Sequence, residues 1–323
     1  MTQQVQTATV PVESAGQRFD QVLAQLWPDF SRTRLQQWLK EGKVTLDSKI
    51  PRGKDKVWGG ECIALAVEAA LEDTEAIGWG PQELPVDVVY QDEQILVVNK
   101  AAGVVVHPGA GNRELTLVNA LLHRFPELAK IPRAGIIHRL DKDTSGLLVV
   151  ARSLAAHHGL VEQIQAREFE REYRAVVLGI MTAGGTVDAP INRHPVHRTR
   201  MAVSEGGRES VTHYRVMERF RIHTYIRLNL ETGRTHQIRV HMAHVDHPLV
   251  GDPTYGGRLR LPRGASLELS ETLRGFKRQA LHAAALGLTH PKSGETLRWE
   301  APVPDDMLNL LAKLREDNVA HGD

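Results

Sequence analysis

His138-Arg139-Leu140-Asp141-Lys142-Asp143-Thr144-Ser145-Gly146-Leu147-Leu148-Val149-Val150-Ala151 sets an Arg-x-Asp pair on a charged loop between two apolar runs. Ile136 and Ile137 precede the loop and Leu147 to Val150 follow it. Short runs of this kind, β-branched or leucine, read as buried strands. Loops at strand ends are where rigid scaffolds carry chemistry. An arginine two residues from an aspartate supplies a positive charge that opposes protonation of the carboxylate in a dry site. An arbitrary Arg-x-Asp is more often a solvated surface pair, so the rest of the chain has to decide between the two.

At 323 residues the chain has room for two domains. Arg18 to Trp27 carries helical apolar spacing through Phe19, Val22, Leu23 and Leu26, and stops at Pro28, which cannot continue a helix. Ser31 offers an N-cap to a second helix through Leu35, Trp38 and Leu39, closed by Gly42. Val44 to Leu46 and Ile63 to Val67 read as strands, with Asp47-Ser48 and Gly59-Gly60 as turns. Residues 1–67 form this first unit and the acidic residues 68–85 a linker; 86–312 form the main domain and 313–323 a charged, frayed tail. In the main domain, strands are expected at Val86 to Tyr90, Ile95 to Asn99, Arg174 to Gly179, Val211 to Met217, Tyr225 to Leu230 and Leu281 to Leu288. Helices are expected at Leu115 to Phe125 and, capped by Ser153, up to about Arg167. Strands and helices do not alternate as parallel βαβ units do, so the fold class is α+β, with a mixed, mainly antiparallel sheet and helices packed on it.

Forty Lys plus Arg against 39 Asp plus Glu leave a formal charge of +1, which by itself names no partner. The charges are segregated, however. Residues 16–60 hold nine basic and five acidic residues, whereas 61–83 hold six acids and no base. Such segregation gives one end a positive field able to meet phosphates, or merely a solvated face. Cys62 is the sole cysteine, so neither an internal disulfide nor a cysteine-based zinc cage can form, which fits a reducing cytoplasm. No apolar run approaches the ~18 residues a membrane helix needs, and Met1 to Ser14 does not read as an export signal.

Thr232-Gly233-Arg234-Thr235-His236-Gln237-Ile238-Arg239 places Arg234 at a turn, with Thr235 able to cap the helix that follows. An arginine at a helix N-terminus is well placed for an anion, either the carboxylate of Asp141 or a substrate phosphate. Tyr173 in Arg171-Glu172-Tyr173-Arg174 can stack on a base face and offer its hydroxyl, although a strand-end tyrosine is more often core. His236, His241, His244 and His247 raise the question of a metal, but no Glu stands beside them as in H-E-x-x-H, and no metal is expected. Ser145 with His138 and Asp143 lacks the G-x-S-x-G elbow of a serine hydrolase. Gly109-Ala110-Gly111-Asn112 lacks the Lys-Ser/Thr ending of a P-loop.

The string from His138 to Ala151 closely resembles the active-site motif of the RluA-type pseudouridine synthases, in which Asp141 matches the catalytic aspartate. "GRTHQIR" (233–239) and Tyr173 match further motifs of that family. The resemblance extends through Asp92 to Lys100 with Gly103 and His107-Pro108-Gly109, where Ala101 stands in place of the usual proline, to the closing Ala301-Pro302-Val303-Pro304. The first unit resembles an S4 RNA-binding domain through "GQRFDQVLA", "SRTRLQQWLKEGKV" and "GGECIAL". The resemblance implies isomerisation of uridine to pseudouridine, with Asp141 doing the chemistry, Arg139 filling the space of the flipped base, Tyr173 stacking and Arg234 pairing with Asp141. Ile238 would pack under the base, and Arg32 and Arg34 of the S4-like unit would bind substrate. No cofactor is implied. The partner would be ribosomal RNA, naked or within a pre-50S particle, and "HPGAGN" (107–112) with the strings around Asp141 and Arg234 point to the helix 69 stem-loop of the large subunit. A monomer without membrane attachment is expected. Two other classes compete: a non-catalytic RNA-binding or ribosome-assembly protein, and a ribonucleoside hydrolase.

Overall fold

The computed structural model describes residues 3–27, 32–68, 80–109, 112 and 114–321. They fall into two compact units, 1–77 and 78–323. In the first, β1 (Gln3–Thr9), β2 (Val44–Leu46) and β3 (Cys62–Glu68) form an antiparallel sheet in the order β1-β3-β2. The helices α1 (Phe19–Leu26) and α2 (Arg32–Lys40) accompany it. Phe19, Leu23, Leu35, Ile63 and Leu65 are its buried centre. Strand β1 was not expected; its alternation of Val5 and Ala8 with Gln and Thr is too polar to stand out, and it exists because Val5 pairs with Ala66 and Thr7 with Ala64. The Ser31 cap lies outside the described residues, as do the side chains of Arg32 and Arg34.

The second unit is built on β4 (Asp87–Gln91), β5 (Ile95–Lys100), β6 (Ser145–Ala151), β7 (Glu170–Leu178) and β8 (Gly185–Asp188). It continues with β9 (Ile191–Arg193), β10 (Met201–Val203), β11 (Val211–Arg219), β12 (His223–Leu230), β13 (Leu281–Thr289) and β14 (Thr296–Glu300). Its sheet runs β4-β5-β6-β13-β7-β12-β11-β8, with β14 on β13 and β9-β10 apart. Every pairing is antiparallel except β6 with β13. The helices are α3 (Leu117–Arg124), α4 (Leu154–Gln165), α5 (Gln237–His244), α6 (Leu267–Gly275) and α7 (Asp305–His321). The sheet is therefore mixed and mainly antiparallel.

The continuous apolar runs have a simple cause, since successive residues of a strand point to opposite faces. Leu96, Val98, Leu148 and Val150 enter the core shared with α3, while Ile95, Val97, Leu147 and Val149 enter the opposite core against Ala156 and Leu160 of α4. Burying each such side chain contributes about 1.5–3 kcal/mol. Thr116 caps α3 and Ser153 caps α4, the latter accepting from Ala156 N at 3.0 Å. The tail expected to fray from Lys313 is instead the end of α7. Leu310, Leu311 and Leu314 are buried, and Arg315 and Asp317 are tied to Glu218 and Arg221 at 2.7 and 3.1 Å.

Candidate active site

Strand β6 pairs with β13 only at Ser145 and Gly146, and this short contact creates the site. Gly146 has φ +116°, and a Cβ there would sit 2.2 Å from Ala283 O, so only glycine lets the two backbones meet. Beyond Gly146 the edge of β6 is free, and the chain before the loop folds back onto it. Val149 N donates to His138 Nε2 at 3.1 Å, and Ile136 bridges Val150. Burial pulls the His138 imidazole down to about 3, so Nε2 remains an acceptor at neutral pH. His138 thus stitches the loop to the sheet.

The turn that follows is fixed at every residue. Thr144 N donates to Asp141 O at 3.1 Å, and Lys142 O accepts from Gly103 N and from Lys100 Nζ at 3.0 and 2.9 Å. Lys100 is 2% exposed and also donates to Ala101 O and Val104 O. Burial lowers this ammonium to about 7, against the pull of Asp143 and Asp141. Gln279 reaches Thr144 Oγ1 at 3.0 Å, and Arg278 reaches Asp143 O at 3.2 Å. Asp141 is consequently held before any ligand arrives, as electrostatic and positional catalysis requires.

Arg139, Asp141, Tyr173, Arg234 and Ile238 all line one pocket of about 450 Å³, within the range of ligand sites. Tyr173 is 8% exposed. Burial raises its hydroxyl above the ordinary value; Arg171 opposes and Asp141 adds to the shift. The structure corrects the expected partner of Asp141. Arg239 Nη1, not Arg234, donates to Asp141 Oδ2 at 2.9 Å, while Arg234 Nε turns to Glu209 O at 3.1 Å. Thr235 does not cap the helix either. His236 occupies that place in the left-handed region at φ +57°, and the side-chain amide of Gln237 accepts from Arg234 N and Thr232 Oγ1. This delay starts α5 at Gln237 and turns Arg239 inward.

Arg239 Nε and Nη2 hold both oxygens of Asp252 at 2.7 and 2.9 Å, and the guanidinium lies 5.1 Å from the Tyr255 ring centre. Burial would raise the Asp252 carboxyl, but Arg239 and the N–H groups of Thr254 and Tyr255 hold it below its ordinary value. His236 Nδ1 meets Tyr255 Oη at 2.9 Å, and its Nε2 stands 3.9 Å from Asp141 Oδ1. Arg171, also in the pocket, has a buried Nε with no partner. Arg239, Asp252, His236, Tyr255 and Lys100 were not singled out for these roles in the sequence. A non-glycine left-handed residue leaves no composition signal, and Asp252 is linked to Arg239 only through the fold.

The remaining candidates find other partners. His241 is buried between Thr212 Oγ1 and Ala189 O, and His247 meets Leu178 O. Among the described residues, no group of three or more His, Cys, Asp or Glu converges as metal ligands would. Ser145 Oγ is buried against His282 Nδ1 at 2.9 Å, and not against His138. Of the Gly109–Asn112 loop, residues 110 and 111 lie outside the described residues.

Residues 94–244 match the family described as RNA pseudouridylate synthase. The chain is 55% identical to ribosomal large subunit pseudouridine synthase D of Escherichia coli (strain K12), over 100% of this chain and 98% of that protein. The protein of the same name in Xanthomonas campestris is 56% identical, over 97% and 93%. Among solved structures, human RNA pseudouridylate synthase domain containing 4 covers 75% of this chain and 95% of its own, with 26% identity and a TM-score of 0.56. The human domain-containing-1 protein gives 29% identity over 68% and 83%, with a TM-score of 0.53. With the strings around Asp141 and Arg239 forming one pocket and the likeness running the full length, the chain belongs to the RluA-type RNA pseudouridylate synthases, enzymes that isomerise uridine in RNA to pseudouridine.

Proposed function

We propose that the chain isomerises uridine in large-subunit ribosomal RNA, at the helix 69 stem-loop, with Asp141 as the catalytic carboxylate. The observation that carries this reading is the convergence of Asp141, Tyr173 and Arg139 in one pocket, with Asp141 clamped by Arg239 at 2.9 Å. A docking protein has no use for such an arrangement. The reaction breaks N1–C1′ of uridine, turns the uracil and joins C5 to C1′, adding no atom and changing no oxidation state, so it calls for no cofactor. A carboxylate serves each available route: attack at C1′, attack at C6, or removal of the C2′ proton.

The target base first leaves its stack, at a cost of a few kcal/mol that is lower in loop RNA. Arg139, exposed at the pocket mouth, fills the vacated space; Tyr173 stacks on the uracil and Ile238 packs beneath it. Arg234, whose guanidinium makes no contact with Asp141, is a phosphate contact. His236 is a neutral donor beside Asp141. Tyr255 Oη accepts Met201 N–H at 2.9 Å and lies 2.9 Å from His236 Nδ1; with the hydroxyl donating to Nδ1, the ring proton would sit on Nε2, facing the pocket.

The N-terminal unit acts as an S4-like RNA clamp. Lys40, Lys49, Arg52, Lys54 and Lys56 are exposed, and Trp58, 73% exposed, offers a stacking face among them. Arg32 and Arg34 complete the basic face on this reading. The partner is ribosomal RNA, naked or in a pre-50S particle, met by a monomer in the cytoplasm.

Incubating unmodified ribosomal RNA with the protein and mapping pseudouridine at single-nucleotide resolution tests the proposal. New pseudouridine confined to helix 69 is expected. Free uracil and abasic sites would instead indicate a ribonucleoside hydrolase, and unchanged RNA a docking protein.

A further inference from the structure

A second cleft, of about 230 Å³, opens between the loop from Gly251 to Leu259, α6 and the start of β12. His223 lines it, is fully buried, and has no hydrogen-bond partner on either ring nitrogen. Leaving a buried polar group unmatched is costly, and native interiors hold few of them. Leu273 and Phe276 supply an apolar wall that strengthens charge interactions inside. Arg258, Arg274 and Lys277 line the same cleft, are exposed, and make no ion pair among the described residues. The one acid in the lining, Asp252, has a side chain 0% exposed and already held by Arg239. Asp317, the charge in α7 that acts on His223, is engaged by Arg221 at 3.1 Å.

We propose that this cleft is a second, phosphate-binding site, in which the His223 ring donates to a phosphate oxygen and Arg258, Arg274 and Lys277 neutralise its charge. Three unpaired cations around an unmatched donor, with the neighbouring acid neutralised, select an anion over a neutral or cationic ligand. A phosphate group can come from the backbone of an RNA substrate or from a free phosphate. The first source rests on the pseudouridine synthase reading; the second does not. Either occupant would sit against the loop whose Asp252 anchors Arg239, and through it Asp141.

The full-length protein, isotopically labelled, is titrated with inorganic phosphate while the ring resonances of His223 are followed. A saturable change is expected in the wild type and its loss in the Arg274→Ala/Lys277→Ala double variant, which touches neither core nor active site. In parallel, the affinity of both proteins for the helix 69 stem-loop is measured against salt. If RNA displaces phosphate, the double variant should lose about 0.7–0.9 in the log–log salt slope for each phosphate contact removed, with the single-turnover rate at saturating RNA unchanged. A His223 response with equal slopes supports the site with free phosphate as its occupant. No response of His223, or the same response in the double variant, overturns the site whatever the slopes do. Failure of the pseudouridine map would leave the phosphate titration standing, so the two readings fail separately.

Discussion

Arg239 meets Asp141 at 2.9 Å while the same guanidinium grips Asp252 through two further hydrogen bonds. Because the Asp252 side chain is 0% exposed and that of Arg239 only 6%, the cation is anchored in the interior and its remaining nitrogen is aimed. Planar, forked donation of this kind is beyond a lysine.

Arg239→Lys keeps a charge but cannot span both carboxylates, so the single-turnover rate should fall about 100-fold or more with RNA affinity within a few-fold. Arg234→Met should do the reverse, weakening RNA binding and sparing the rate. Rapid-quench single-turnover assays with titrated RNA distinguish them, and a rate loss confined to Arg234→Met would restore the pairing first expected.

Lys100→Met removes three hydrogen bonds to Ala101, Val104 and Lys142, the last adjacent to Asp141. A displacement of the carboxylate by about 1 Å can cost about 100-fold, so the rate should drop by one to two orders of magnitude while RNA affinity holds. An unchanged rate would show that the loop does not need this pin.

Acid should destabilise the fold through its buried imidazoles. Burial holds His138 at about 3 and His223 at about 4, both below the ordinary 6.5. The unfolded chain therefore takes up protons first as pH falls. The stability these rings contribute is complete above pH 6.5 and is lost as pH falls, down to about 4 for His223 and about 3 for His138, at about 1.4 kcal/mol per pH unit for each ring within its window. Urea midpoints between pH 7 and 4.5 should fall steeply, and His138→Gln, which retains an acceptor for Val149 N, should make the slope shallower. An equal slope would show that His138 does not titrate this way.

Gly146→Ala would drive a methyl group to 2.2 Å from Ala283 O, separating β6 from β13, and should cost several kcal/mol or abolish soluble protein. Gly103, at φ +86° with nothing within 4 Å, makes the control: Gly103→Ala should cost only about 1–2 kcal/mol. Equal urea midpoints for the two variants would contradict the close approach at Gly146.

Much of the sheet was legible because strands buried on both faces, such as Ile95–Lys100 and Ser145–Ala151, announce themselves as unbroken apolar runs. Short or half-exposed elements did not: Gly185–Asp188, Met201–Val203 and the Gln- and Thr-rich Gln3–Thr9 exist through their partners. The end of α7 looked frayed because its charges find Glu218 and Arg221, about a hundred residues away in the chain. In the site, Asp141 and Tyr173 stand out through strings that resemble family motifs, and the fold brings both to one pocket. The choice between Arg234 and Arg239 does not, because it turns on where α5 begins, and that is set by the left-handed backbone of His236 and the side chain of Gln237.

The central claim is that Asp141 performs the isomerisation. Asp141→Asn keeps the size and most hydrogen bonds of the side chain but removes the anion, so RNA affinity should stay within a few-fold while turnover disappears. The decisive measurement is single-turnover pseudouridine formation in helix 69 at saturating enzyme, wild type beside Asp141→Asn. The expected result is no pseudouridine from the variant at times many half-lives beyond wild-type completion; a variant rate above about one per cent of wild type would contradict a catalytic Asp141.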